Sequence, residues 1–114
     1  MPYHKHFQGR TMRDHILEKI KEAVLNQEPA AEIVLFGSRA RKDFEDSSDW
    51  DFLVLVDGNV DTHREDRIRH SLYEIEWDTG QVISTIIKSR RVWNDPAYGR
   101  VPFYKSVERD GIHI

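Results

Sequence analysis

Two short apolar runs, residues 33–36 and 52–56, constrain this chain more than any other feature, because each borders a polar signature that a buried strand does not need. The first run passes directly into Gly37-Ser38, and the second is entered through Asp49-Trp50-Asp51, with ten residues between Ser38 and Asp49. Unbroken apolar runs of this length suit strands covered on both faces. Side chains alternate along a strand, so Asp49 and Asp51 project from one face with α-carbons about 6.5 Å apart, and Trp50 projects from the other. Two carboxylates held that close repel unless a cation lies between them. Hard oxygen donors favour Mg²⁺ or Mn²⁺, ions that keep open positions for phosphate oxygens.

Gly37 and Ser38 provide the complementary half of such a site. Glycine allows backbone N–H groups to approach a phosphate with no Cβ in the way, and the serine hydroxyl can donate to a phosphate oxygen or cap a helical turn. Arg39 and Arg41 add positive charge nearby, and a short helix starting at residue 38 would turn its N-terminal end toward an anion. Taken singly these elements are ordinary: Asp-x-Asp is common in solvated turns, and Gly-Ser is a common loop dipeptide. Their spacing between two apolar strands makes the combination restrictive. For Arg39 and Arg41, phosphate contact and plain exposed charge are both open readings.

Phe36-Gly37-Ser38-Arg39-Ala40-Arg41 through Ser48-Asp49-Trp50-Asp51-Phe52 resembles the minimal nucleotidyltransferases of the DNA polymerase β-like superfamily. The resemblance implies an α/β (α+β) fold, a small mixed sheet flanked by helices. It also implies transfer of a nucleoside monophosphate, AMP from ATP first among them, to a hydroxyl acceptor with loss of pyrophosphate. Asp49 and Asp51 would be the catalytic and metal-binding residues, holding Mg²⁺ or Mn²⁺, and Gly37, Ser38, Arg39 and Arg41 would bind the nucleoside triphosphate. Stand-alone members are similar to the antitoxins of two-gene toxin–antitoxin modules whose toxin is a HEPN ribonuclease, so the implied acceptor is a partner protein, ahead of a small molecule. Members commonly carry a third carboxylate on a later strand. Here the strand at residues 82–87 offers Ser84 or Thr85 at that place, with Glu76 or Asp78 as acids that a different register would bring near. That departure keeps a second reading open, a catalytically degenerate nucleotide-binding or partner-masking antitoxin module.

The 114 residues suit one minimal domain spanning 1–114, with 1–10 as a flexible end. A net charge of −3 from 17 basic and 20 acidic residues argues against nonspecific grip on nucleic acid. The absence of cysteine removes disulfides and thiolate chemistry. No apolar run is long enough to span a membrane, and the expected location is the cytoplasm. His4 and His6 are read as surface residues of the chain end.

Around the central signature the pattern is helical and then mixed. Met12, Ile16, Ile20 and Val24 recur every four residues, Thr11 with Asp14 has the form of a capping box, and a helix is expected over 11–26. Residues 42–48 form a charged loop expected to fold back over the site. Asp61 or Thr62 caps a second helix through Ile68, Leu72 and Ile75 that ends near Gly80. Because Tyr73, Ile75 and Trp77 also alternate, a hairpin through residues 78–80 is an alternative. A third strand is expected over 82–87 and a short helix over 102–109, stopped by Gly111. Trp50, Trp77, Trp93, Phe103 and Tyr104 are assigned mainly to core packing. Tyr98, Phe103 and Tyr104 are alternatively a surface patch for a partner or a homodimer.

Overall fold

The computed structural model describes residues 11–114; the expectations for residues 1–10, His4 and His6 included, lie outside the described residues. Helix α1, Met12–Gln27, begins at the predicted capping box: Thr11 Oγ1 accepts from the Asp14 N–H at 3.0 Å, and the Asp14 carboxylate accepts from the Thr11 N–H at 3.2 Å. Reciprocal bonds of this kind satisfy two of the otherwise orphaned donors at a helix start. Strand β1, Glu32–Phe36, leads through Gly37 into the four-residue helix α2, Ser38–Arg41, and a loop then delivers the chain to β2, Trp50–Val56. Helix α3, Thr62–Thr79, connects β2 to the parallel strand β3, Ile83–Ser89. The chain finishes with α4, Arg90–Trp93, a 3₁₀ turn at Tyr98–Arg100, α5, Pro102–Asp110, and the two-residue strand β4, Ile112–His113.

The strand order is β3-β2-β1-β4, with β2 parallel to β3 and the other pairings antiparallel. This is the mixed sheet flanked by helices expected from the sequence. Both faces are covered, which explains the continuous apolar character of β2. Trp50, Phe52, Val54 and Val56 pack beneath α1 and α3 with Ile16, Ile20, Val24, Ile68 and Leu72. Leu53 and Leu55 face the other way, toward Trp93 of α4 and Val107 of α5. Leu35, Phe52, Leu53 and Ile68 are fully buried, and truncating a leucine at such a place to alanine costs about 2–5 kcal/mol.

Several expectations are corrected. The hairpin alternative at residues 78–80 is overturned: α3 continues to Thr79, and Gly80, at φ +70°, supplies the left-handed cap. Asp61 rather than Thr62 caps that helix, accepting from the Arg64 N–H. Trp77, assigned to the core, is 88% exposed, because Ile68, Leu72 and Ile75 take the face of α3 turned to the sheet and leave Tyr73 and Trp77 on the outside. Tyr98, Phe103 and Tyr104 gather around Trp93, with ring centroids at 5.5, 5.8 and 4.8 Å, so they close the second core layer instead of forming a free patch. Helix α4 and strand β4 have no counterpart in the sequence pattern, because two to four residues are too few to show a period. Among the described residues no helix is long and apolar enough to cross a membrane.

One ion pair ties the two large helices together. Arg64 makes a two-pronged contact with Glu28 at 2.7 and 2.8 Å, and its remaining nitrogen donates to the carbonyls of Asp57 and Asn59. The same guanidinium thus fixes the end of α1 and the turn from β2 into α3. The Glu28 carboxyl is held below the ordinary glutamate range mainly by its hydrogen bonds from Arg64. Folding therefore gains from the ionised form above the unfolded-state pKa, and that gain disappears as the pH falls through the lower folded-state value. Replacing Arg64 by Met is expected to cost about 1–2 kcal/mol in urea unfolding at pH 7. The deficit relative to the native chain should shrink as both are titrated down from the ordinary glutamate pKa of about 4.3 through the lower folded-state value, where Glu28 takes up its proton.

Candidate functional site

The antiparallel register of β1 with β2 sets Phe36 opposite Asp51, so the residues that leave β1 land beside those that enter β2. Gly37 takes φ +73° and ψ −158°, a conformation essentially restricted to glycine. A Cβ there would collide with the Asp51 carboxylate, so the position excludes a side chain twice over. The chain then turns into α2, whose first turn carries Ser38, and leaves it at Lys42 in the left-handed conformation. Two sequence-distant segments are thereby brought into contact at one end of the sheet.

Asp49, just before β2, is exposed, and Asp51 is partly buried on the face of β2 opposite Trp50. Burial raises the Asp51 carboxyl above the ordinary aspartate value, the neighbouring negative charge of Asp49 raises it further, and Arg41 partly offsets both. Burial and the neighbouring charge thus both disfavour the ionised form of Asp51, the condition in which a bound cation is stabilising. Arg41 is half-exposed and pairs with Asp43 at 3.2 Å, near enough to act on Asp51 electrostatically.

Arg39 is placed differently. It lies 6% exposed on the Trp50 side of β2, away from the carboxylates, and it is the single buried charged residue among those described. Its guanidinium sits 4.4 Å from the ring centroids of both Phe44 and Trp50. It donates to the carbonyls of Ser48 and Asp46 at 3.0 and 3.1 Å, and to Gln81 Oε1 at 3.4 Å. The structure thus gathers Gly37, Ser38, Arg41, Asp49 and Asp51 at one edge and sends Arg39 beneath the 42–49 loop. That loop is held from the Trp50 side rather than folded over the carboxylates. Spacing in sequence could not separate the two arginines, since both lie on one turn of helix.

On the third strand, Asp51 is in register with Ser84, and Phe52 with Thr85. Ser84 is accordingly the residue beside the Asp pair, exposed and on the same face, while Thr85 faces the α1 and α3 layer. Neither alternative acid reaches the site. Glu76 accepts from the Ile83 N–H at 2.8 Å on the outer edge of β3, and Asp78 lines a groove with Lys19 and Glu22 of α1. Among the described residues no three acidic or histidine side chains converge as a metal cluster. The pair Asp49 and Asp51 nevertheless fits a hard divalent cation: two carboxylates two residues apart, close enough for the charge of one to act on the other, with Asp49 open to solvent.

Comparisons with known proteins bear on the family and the fold. The model of the nucleotidyltransferase domain matches residues 17–96, a span that holds β1, α2, β2, α3 and β3. The chain belongs to the nucleotidyltransferase-domain family. A search of curated protein sequences gives no significant match. Among solved structures the chain is similar to one in a crystal structure described as a toxin–antitoxin with AMP-PNP, with a TM-score of 0.60 over 84% of this chain and 69% of that one. At 16% identity that likeness is one of fold.

Two substitutions probe the arrangement directly. Gly37→Ala should destabilise the chain by about 1–3 kcal/mol in thermal or urea unfolding, because it combines the strained backbone with the clash at Asp51. Asp51→Asn should raise the melting temperature of the metal-free protein, since it removes a partly buried charge that faces Asp49. Added Mg²⁺ should stabilise the native chain and leave the variant unchanged, as calorimetry or thermal shift would show.

Proposed function

We propose that this chain is a divalent-metal-dependent nucleotidyltransferase that moves a nucleoside monophosphate, AMP from ATP, onto a hydroxyl of a partner protein. The observation that carries the reading is the close approach of the Gly37 backbone to the Asp51 carboxylate, with Asp49 two residues earlier acting on that carboxylate, at the start of the short Ser38 helix. In this reading Asp49 and Asp51 hold the metal, which when bound polarises phosphate oxygens and screens the charge of the triphosphate. Gly37 lets the phosphate chain approach the backbone, and Ser38 Oγ donates to a phosphate oxygen. Arg41 can exchange its exposed partner Asp43 for a phosphate, at little cost for a surface pair. Arg39 belongs to the scaffold beneath the loop. In the transfer an acceptor oxygen forms a bond to the α-phosphorus, the bond from that phosphorus to pyrophosphate breaks, and the hydroxyl proton is released to solvent.

The family and the fold support nucleotidyl transfer as the general class. The toxin–antitoxin neighbour supports a protein acceptor, and a HEPN-type ribonuclease in a two-gene module is the partner in this reading. Ser84 beside Asp51 favours one alternative, a module that binds nucleotide or masks a partner without transfer, because a serine there leaves the carboxylate set at two.

Calorimetric titration of ATP with and without Mg²⁺ separates these. Magnesium-dependent binding to the native chain, lost in Asp49→Asn with Asp51→Asn, is the expected result. The same pair of proteins incubated with α-labelled ATP and the partner should show label on the partner with the native chain alone. Equal labelling by the doubly substituted chain would rule out the metal site, and nucleotide binding without labelling would select the masking alternative.

A further inference from the structure

We propose that Arg39 is a positioning residue that sets the Asp49 carboxylate for metal binding by clamping the backbone immediately before it. The proposal rests on the assignment of Asp49 and Asp51 as the metal-binding pair, and it adds a residue on the opposite face of the sheet to what makes that pair competent.

The geometry is specific. Arg39 Nε and Nη2 both donate to the carbonyl of Ser48, at 3.3 and 3.0 Å, and this carbonyl belongs to the peptide group whose nitrogen is that of Asp49. Fixing that oxygen fixes the peptide plane on one side of the Asp49 Cα, and the Trp50 N–H, donating to the Val82 carbonyl at 2.9 Å, fixes the plane on the other, so that together they set the direction in which the Asp49 Cα–Cβ bond leaves the chain. Nη2 also takes the Asp46 carbonyl, so two points of the loop are tied to one planar group. Residues 42–47 and 49 are exposed; beyond the Arg39 clamp, Asp43 is held by its N–H to the Ser38 carbonyl at 3.2 Å and its pair with Arg41, and the end of the loop by Ser48 N–H to the Glu45 carbonyl and Glu45 N–H to Ser48 Oγ, both at 2.9 Å.

The guanidinium itself is held in place. Phe44 and Trp50 enclose it on their ring faces, the Trp50 Nε1–H donates to Gln81 Oε1 at 3.0 Å, and the same oxygen accepts from Arg39. Arg13 Nη1 donates to the Arg39 carbonyl at 3.0 Å, anchoring the main chain from α1. Among the described residues no carboxylate lies within ion-pair distance of Arg39, although burying a cation costs several kcal/mol without compensation. Carbonyl dipoles and aromatic faces supply that compensation. A lysine could keep the charge but not the fork that spans two carbonyls. The burial of an arginine in a loop clamp is intelligible if the conformation it enforces is needed, and the residue that follows the clamped carbonyl is the one whose carboxylate must face Asp51.

The test uses the full chain and Mn²⁺ as the probe, with binding read by electron paramagnetic resonance and loop order by amide exchange. In Arg39→Lys, Mn²⁺ affinity is expected to fall about 10-fold or more, the scale typical of groups that orient a metal ligand. Amide exchange at residues 46–49 should accelerate while that of Phe52 to Leu55 stays native, and saturating Mn²⁺ should restore protection to the loop, a reciprocity that a purely structural role does not produce. Phe44→Leu removes one exposed wall of the clamp without touching the core, and it is expected to weaken Mn²⁺ binding in the same direction by a smaller factor. A folded Arg39→Lys chain with native Mn²⁺ affinity would overturn the clamp. If Arg39→Lys does not fold, native affinity in Phe44→Leu together with accelerated loop exchange would do so. Equal Mn²⁺ binding by the native chain and Asp51→Asn would instead remove the metal-site reading on which the clamp depends.

Discussion

The close approach of Gly37 to the Asp51 carboxylate is the contact on which the rest of the site depends. It exists because β1 and β2 run antiparallel in a register that places Phe36 against Asp51, so the end of one strand and the start of the other share one edge of the sheet. Glycine meets two requirements there, a backbone conformation closed to other residues and an absence of volume where the carboxylate stands. A shift of that register by one residue would turn Asp51 into the helical layer and Trp50 out to solvent. The buried alternation of Trp50, Phe52, Val54 and Val56 on one face and Leu53 and Leu55 on the other opposes any such shift.

Two carboxylates on one face of a strand work against folding unless something else occupies the space between them. Desolvation and mutual repulsion both act on Asp51, and Arg41 offsets them only in part. Local conflict of this kind concentrates at functional positions. The sheet can hold the conflict because its two layers are well filled and because Glu28 with Arg64 locks the helices over it.

The two arginines of the short helix show how one turn of chain divides its labour. Arg41 points to solvent beside Asp43 and acts on Asp51 through space, whereas Arg39 is buried between two aromatic rings and acts on the loop through its carbonyls. The carboxylate face and the clamp face belong to the same strand, so Trp50, buried and in contact with Arg39, sits between the two residues whose carboxylates it separates.

The sequence by itself determined the three longer strands, the capping box of α1, the helical stripe of α3 and the succession of Gly37-Ser38 and Asp49-Trp50-Asp51 at the ends of two of those strands. Each of these is a local pattern: an apolar run, a period of about four, or a side chain that reaches three residues along its own chain. The alternation that turns Trp50 away from the two carboxylates is local in the same sense and needs no partner strand. Only the tertiary structure decided that Ser84 and not Thr85 stands beside Asp51, because that depends on the register between β2 and β3 across the α3 crossover. It alone sent Glu76 to the outer edge of β3, exposed Trp77 and gathered Tyr98, Phe103 and Tyr104 around Trp93. It also separated Arg39 from Arg41, since which face of a single helical turn is buried is set by what packs against it from elsewhere in the chain.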